Sequence, residues 1–286
     1  MKQWPLLDLE DTFGDVLRKL MRGRRMPADR LARAALIPEE SLAAWLADDG
    51  VPQRDDAVTL ARVLDIDEAR IVERAQAKWY PDEVAAPHVR RHAQAPHPSN
   101  GFLLTSIEDG ESCALVDPAG DPQALLARLD GVDERLAYIL ITHKHADHCD
   151  AASEIAAAFP RAQIVMHELD AHAIGSLAKE AIKIRDGEVL GFGANGHIQM
   201  LHTPGHTDGS SCFLYNATLF TGDTLFAGSV GGCFGDRTGY ADILESVATK
   251  LFTLPIDTTV MPGHGPPTKI GWERSHNPFF RADGAR

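Results

Sequence analysis

The sequence predicts an α/β protein carrying a small all-helical domain in front of it, and three observations carry that prediction. Residues 1 to about 80 place apolar side chains at helical spacing; residues 79 to 99 shift to Pro and His; and from residue 100 short β-rich runs alternate with helical ones. The chain has 286 residues, 44% hydrophobic and 24% charged, which is enough apolar material for a sizeable core and excludes a disordered chain. No apolar run approaches the roughly 20 residues that a membrane span needs. The opening residues lack the basic-then-apolar pattern of a signal peptide, so a soluble, cytoplasmic protein is expected, with no membrane partner. Cys113, Cys149, Cys212 and Cys233 are scattered without CxxC pairing, as reduced thiols would be.

In the helical segment (residues 1–80), Phe13, Val16, Leu17 and Leu20 form one apolar stripe, and Leu31, Ala34 and Ala35 the next. Breaks are expected at Arg24 to Pro27, Ile37-Pro38, Asp49 to Pro52 and Asp65 to Asp67. The short-helix, turn, short-helix layout of residues 26–52 resembles the lambda-repressor-like helix-turn-helix family through Leu31-Ala32 and Leu42, Trp45-Leu46. In that family the second helix reads bases with Arg, Lys, Asn or Gln. Here it runs from Glu39 to Ala47 and carries carboxylates, with a basic face confined to Arg18, Lys19, Arg22, Arg24 and Arg25. Those 80 residues hold 13 Lys/Arg against 15 Asp/Glu, and the whole chain has a net charge of -13. The balance argues against DNA as a partner and for a bundle retained for packing or homodimer formation.

Residues 81–99 read as a Pro/His-rich linker entering a first edge strand, with His88, His92 and His97 expected at the surface. The segment 100–286 follows. Its first two strands, around Phe102 and Ala114, flank the turn Glu108-Asp109-Gly110. Next come a helix near Pro122 to Leu129, a strand at Leu136 to Thr142, a helix near Ala151 to Phe159 and a strand at Gln163 to His167. Four later β-rich runs, HIQMLHTP, SSCFLYN, TLFTGD and TTVMPGH, include a helix at about Ala241 to Phe252 before the last. Sequential hairpins among these elements argue against a purely parallel sheet.

The chain has 13 histidines, unevenly placed. His143, His145, Asp147 and His148 fall within six positions directly after the apolar run Ile139-Leu140-Ile141. Three imidazoles and a carboxylate on one loop offer borderline nitrogen and hard oxygen donors suited to Zn(II), Fe(II) or Mn(II). His206 in TPGHT, Asp223 in TGDTLF and His264 in PGHG each end a β-rich run beside Gly or Pro, which let the chain turn and aim a side chain into a cleft.

Taken together, HxHxDH, TPGHT, TGDTLF and PGHG closely resemble the metallo-β-lactamase-fold hydrolases, in their glyoxalase II-like branch, over about residues 85 to 286. The resemblance implies an αββα metallo-β-lactamase sandwich with a binuclear metal site, Zn(II) first and Fe(II) or Mn(II) as the other ions such donors take. His143, His145 and His206 would hold one ion, Asp147, His148 and His264 the second, and Asp223 would bridge. Asp117, in LVDPAG, matches a supporting position behind the ligands; its residue type alone fits a helix N-cap or turn equally well. The implied activity is hydroxyacylglutathione hydrolase-like: a thioester or ester cleaved by a metal-bridging hydroxide, with Asp147 and Asp223 as the catalytic carboxylates. Lys144 and Arg237 are candidates for an anionic substrate tail, and Tyr240 for the carbonyl oxygen, although packing fits it better.

Two features depart from the family pattern. Cys149-Asp150 stands where Gly-Gly is common, placing a thiol and an extra carboxylate beside the second ion. After NPFF there is no long helical extension of the kind that binds glutathione in larger glyoxalase II enzymes. Three alternatives stay open: a mononuclear Fe(II) persulfide dioxygenase using His143, His206 and Asp223; a lactonase; and a ligand-sensing DNA-binding regulator.

Overall fold

The computed structural model describes residues 4–132 and 135–281. Two sheets stack face to face. The first runs β1 (Val89–Ala93), β2 (Asn100–Thr105), β3 (Cys113–Val116), β4 (Leu136–Leu140), β5 (Gln163–His167), β6 (Ile182–Ile184) in that order, six strands among the described residues. β1 to β3 pair antiparallel and β3 to β6 parallel. The second sheet has the order β14 (Thr268–Lys269), β13 (Thr259–Pro262), β10 (Thr218–Gly222), β9 (Ser211–Tyr215), β8 (Gly196–His202), β7 (Val189–Phe192), with β10 and β13 parallel and the other pairs antiparallel. A hairpin of β11 (Leu225–Phe226) and β12 (Ser229–Val230) follows β10.

The two-residue period of the strands sorts their side chains into layers. Phe102, Leu104, Ala114, Val116 and Leu140 point between the sheets, against Phe192, Ile198, Met200, Phe213, Phe220 and Met261. Their neighbours Leu103, Leu115, Ile139 and Ile141 point the other way. They meet Leu125 of α6 (Pro122–Arg128) and Ile155 of α8 (Ala152–Ala158). Outside the second sheet, Cys212, Leu219 and Val260 are covered by Ile243 and Leu244 of α9 (Tyr240–Ser246), by Val247 and Leu251 of the π-helical turn after it, and by Ile270 of α10 (Ile270–His276). The result is a four-layer αββα sandwich.

The helical segment folds as α1 (Phe13–Gly23), α2 (Ala28–Ala35), α3 (Glu39–Leu46), α4 (Arg54–Leu64) and α5 (Glu68–Ala75), and each expected break falls between two of them. Thr12 and Asp15 form a capping box that starts α1, and Asp67 caps α5 through the amides of Ala69 and Arg70. The bundle core of Val16, Leu17, Leu20, Leu31, Leu42, Leu60 and Ile71 is continuous with the helical layer over the second sheet. Polar anchors fasten that seam. The buried Arg70 guanidinium donates to the carbonyls of Arg274, at 2.6 Å, Asn277 and Phe280, dipoles that help to offset the cost of burying its charge. Gly23 lies directly under the Tyr240 ring, where any Cβ would overlap it.

Several expectations need correction. His92 is buried rather than at the surface, its own Nε2 without a hydrogen bond, and burial with Arg128 and Arg91 nearby lowers its pKa to about 3. His88 and His97 are half-buried, bonded to Thr218 and Asp150. In the local basic stretch, Arg18 pairs with Asp15 and Asp48, Lys19 pairs with Asp11, and Arg24 donates to the Asp65 carbonyl. No helix among the described residues is long and apolar enough to cross a membrane.

Candidate metal centre

Five strands end at one edge of the sandwich, and the loops after them carry the histidines and carboxylates. Asp117 follows β3, His143 to His148 follow β4, His206 follows β8, Asp223 follows β10 and His264 follows β13. Parallel pairing brings these ends level, with Val116 opposite Leu140 and Gly222 opposite Pro262. His145 then acts as N-cap of a single helical turn, α7 (Ala146–Cys149), so Asp147 and His148 swing to a different side from His143 and His145. Gly263 is required next to His264, because a Cβ there would strike Asp223 Oδ1 and His148 Cε1.

Three overlapping groups of ligand atoms result, each within 4.8 Å: His143, His145 and His206; His143, His148 and Asp223; Asp147, His148 and His264. In the first, His145 Nδ1 lies 3.1 Å from His143 Nε2 and 2.8 Å from His206 Nε2. In the last, His148 Nε2 lies 3.4 Å from His264 Nε2 and 3.6 Å from Asp147 Oδ2, and His264 Nε2 lies 3.3 Å from Asp147 Oδ2. Asp223 stands between them, Oδ1 3.3 Å from His148 and Oδ2 3.5 Å from both His206 and His264.

The residues suit metal ions by their own chemistry. Asp223 Oδ1 is buried without a hydrogen-bond partner, an expensive state for a carboxylate unless a cation faces it. Imidazole nitrogens converge on one another, His145 Nδ1 with His143 Nε2 and His206 Nε2, and His148 Nε2 with His264 Nε2, so their lone pairs can share one ion. Nitrogen and carboxylate donors in this ratio fit Zn(II) and Fe(II).

Charge divides the cluster. Burial, reinforced by neighbouring histidines, holds His143 well below its ordinary pKa, and burial lowers His206 to about 4 despite Asp223. Burial opposes charge on His148 too, but Asp223 and Asp117 outweigh it and raise it well above the ordinary value. Burial likewise disfavours ionised Asp223, yet His148 and His206 keep it far below the carboxylate range.

Asp117 touches the cluster directly. Its Oδ2 lies 3.0 Å from His148 Nδ1 and accepts from Thr142 Oγ1, while Oδ1 accepts from the Thr142 amide. It does so from a left-handed backbone, φ 53°, which Asp tolerates better than most residues. Other candidates lie further out. The Lys144 side chain is half-buried, and Arg237 is exposed beside Asp208 at 3.6 Å. Tyr240 packs on Gly23 and Phe279. Asp150, expected beside the second ion, instead accepts from the Gly120 amide and faces His97. Cys149 points its Sγ at the Lys144 and His145 carbonyls, and burial pushes the thiol up to about 12.

Sequence reasoning missed Asp170, Phe234 and Glu10. Buried Asp170 accepts from the Lys144 amide, Thr207 Oγ1 and the Gly209 amide, tying the His143 loop to the His206 loop. Phe234, 59% exposed, stands edge-on to the rings of His145 and His206 at 5.6 Å. Nothing in local spacing marks any of the three.

Comparison with known proteins gives the family. Residues 95–264 match the profile of the metallo-beta-lactamase superfamily. The hydroxyacylglutathione hydrolase GloC of Haemophilus influenzae is 32% identical over 61% of this chain and 90% of its own length. TTHA1623, solved in a di-iron-bound form, superposes with a TM-score of 0.55 at 33% identity, over 66% of this chain and 99% of its own. ETHE1 from Myxococcus xanthus gives a TM-score of 0.57 at 28% identity, over 66% and 83%.

Proposed function

This chain belongs to the metallo-beta-lactamase superfamily, and on that premise we propose that it is a metal-dependent hydrolase that cleaves a thioester or ester. The observation that carries the reading is the set of overlapping ligand groups with Asp223 between them. The similarity to GloC supports the thioester. His143, His145 and His206 would hold one divalent ion, Asp147, His148 and His264 another, with Asp223 shared; Zn(II) is the first choice, then Fe(II) or Mn(II). Ions bound there would acidify water and polarise a carbonyl oxygen.

The chain's own groups do the rest. Asp147 is more exposed than Asp223, so its Oδ2 is placed to hold a proton on the substrate side and return it to the departing thiolate or alkoxide. Phe234 screens the outer side of His145 and His206 and offers an apolar rest for an acyl group. Lys144 and Arg237 would draw an anionic tail. The bundle serves packing rather than DNA, most of its α1 cations being paired.

The group Asp147, His148 and His264 favours the hydrolase over a mononuclear persulfide dioxygenase, which would need only His143, His206 and Asp223. Metal analysis of the isolated protein, with assays on S-lactoylglutathione, a lactone and glutathione persulfide, tests this. Two zinc per chain and thioester cleavage lost in His145→Ala are expected. One iron per chain with persulfide oxidation would replace the reading, and no transition metal with no His145-dependent activity would end it.

A further inference from the structure

We propose that Glu10, far outside the superfamily match, is the positioning residue for His264, so that the N-terminal segment completes the metal centre. The inference rests on the metallohydrolase reading above and concerns how the second ion is retained.

The two nitrogens of His264 face opposite ways. Nε2 looks into the ligand cluster, 3.3 Å from Asp147, 3.5 Å from Asp223 and 3.4 Å from His148. Nδ1 looks out, buried and without a hydrogen bond. Glu10 Oε2 lies 3.6 Å from that nitrogen. A metal-bound imidazole almost always donates its other N–H to a carboxylate or carbonyl, which fixes the ring and its tautomer. Three other histidines of the cluster already have an oxygen partner on Nδ1: His143 has the Thr142 hydroxyl at 3.0 Å, His148 has the Asp117 carboxylate at 3.0 Å and His206 has the Gly232 carbonyl at 2.6 Å. Those partners all lie within residues 95–264, the span of the superfamily match. Glu10 does not.

The segment that delivers Glu10 is fastened on both sides. Trp4 Nε1 donates to the Val84 carbonyl at 2.8 Å, and the Tyr80 hydroxyl to the Leu7 carbonyl at 2.7 Å. Asp11 is gripped by Lys19 at 2.6 Å and by Ser229, while Arg74 of α5 holds its carbonyl. Lys19 also donates to the Val230 carbonyl at 2.6 Å. The backbone at Glu10 passes so close to Gly265 that a Cβ there would meet the Glu10 amide nitrogen at 3.1 Å. The bundle therefore clamps a carboxylate against the outward face of His264.

The test uses the full chain as wild type, Glu10→Gln and Glu10→Ala. Zinc affinity is read by competition with a chromophoric chelator, zinc per chain by elemental analysis, and melting temperature on the metal-free forms. The expected result is two zinc sites in wild type, with one weakened about 10–100-fold in both variants. The other site and the metal-free melting temperatures stay unchanged. Variants that bind every ion as tightly as wild type overturn the proposal alone. So does a metal-free melting temperature that falls in step with the affinity, which assigns the loss to folding. A wild-type chain that binds no zinc overturns the proposal and the metallohydrolase reading together.

Discussion

Asp223 in the ligand cluster and Glu273 in the seam between bundle and sandwich are both buried carboxylates, yet their pKa values move in opposite directions. Burial opposes charge on each. At Asp223 the rings of His148 and His206 overcome it and the group stays ionised. At Glu273, Thr268 Oγ1 at 2.7 Å, Asn277 Nδ2 at 2.9 Å, the Gly228 amide at 2.9 Å and the charge of Arg74 do not overcome it, so the pKa rises to about 7. Charge dominates the answer in one region; hydrogen-bonding dipoles dominate it in the other, with Arg74 the smaller contribution. The cluster is therefore built to keep ionised groups out of water, as a metal centre requires, whereas the seam is built to hold two layers together.

The sharpest way to break the comparison is Asp223→Asn, which keeps the shape and removes the charge. Because Asp223 stands between the groups of ligand atoms, it should cost more than the 10–100-fold loss typical of an outer partner. We expect turnover to fall by about 10³-fold or more, with metal content reduced. Wild-type metal content together with wild-type kcat would show that the charge at this position is dispensable.

Glu273→Gln probes the other side. Below about pH 4.5 the carboxyl is protonated both folded and unfolded, so it favours neither state. As pH rises from 4.5 toward 7, the unfolded chain releases a proton that the folded chain keeps, and stability falls; above 7 the loss is complete. A shift of that size corresponds to about 3 kcal/mol. Glutamine can accept from Gly228 and Asn277 and donate to Thr268, so the variant should lose this pH-dependent decline. Urea unfolding at pH 5 and pH 8 reads the difference, and an unchanged pH slope would mean that Glu273 ionises freely in the folded protein.

The same contrast explains what the sequence made legible. The residues that the structure gathers into the cluster were readable because each sits in a short local motif after a strand: His143 to His148, TPGHT, TGDTLF and PGHG. The strands showed as short β-rich runs, and the bundle helices through their helical apolar spacing and their breaks. Glu10 and Asp170 were not readable, because their partners lie tens to hundreds of positions away. His92 looked like a surface residue because a Pro/His-rich stretch is usually exposed, whereas its strand is covered beside α6 and its side chain shares a cavity with Leu125 and Arg128. β6 and β14, three and two residues long, are too short for any pattern.

Within the cluster, Asp117→Asn sharpens the distinction between ligand and supporting carboxylate. Asparagine tolerates the left-handed backbone and keeps one oxygen, but it removes the negative charge beside His148 Nδ1. Zinc affinity should fall about 10–100-fold at the ion held by His148, a smaller loss than for Asp223. Isothermal titration on the metal-free protein measures it, and equal affinities would place the orienting role on Thr142 instead.

The smallest effect is expected at Tyr240, where the choice lies between packing and contact with a carbonyl oxygen. Its ring covers Gly23 of α1 and tilts against Phe279 at 6.1 Å, so its apolar body serves the seam. Burial raises the pKa of its hydroxyl further above the ordinary value, which leaves it a poor acid. Tyr240→Phe keeps the ring and removes only that hydroxyl. If the residue belongs with Glu273 on the seam, kcat should stay within about 2-fold of wild type and stability within about 0.5 kcal/mol, the range of a substitution that breaks no buried bond. A hydroxyl that donates to a developing oxyanion is worth about 10²–10³ in kcat. A kcat loss of that order, with KM and melting temperature unmoved, would transfer Tyr240 from the seam to the metal centre and make α1 part of the wall around the substrate.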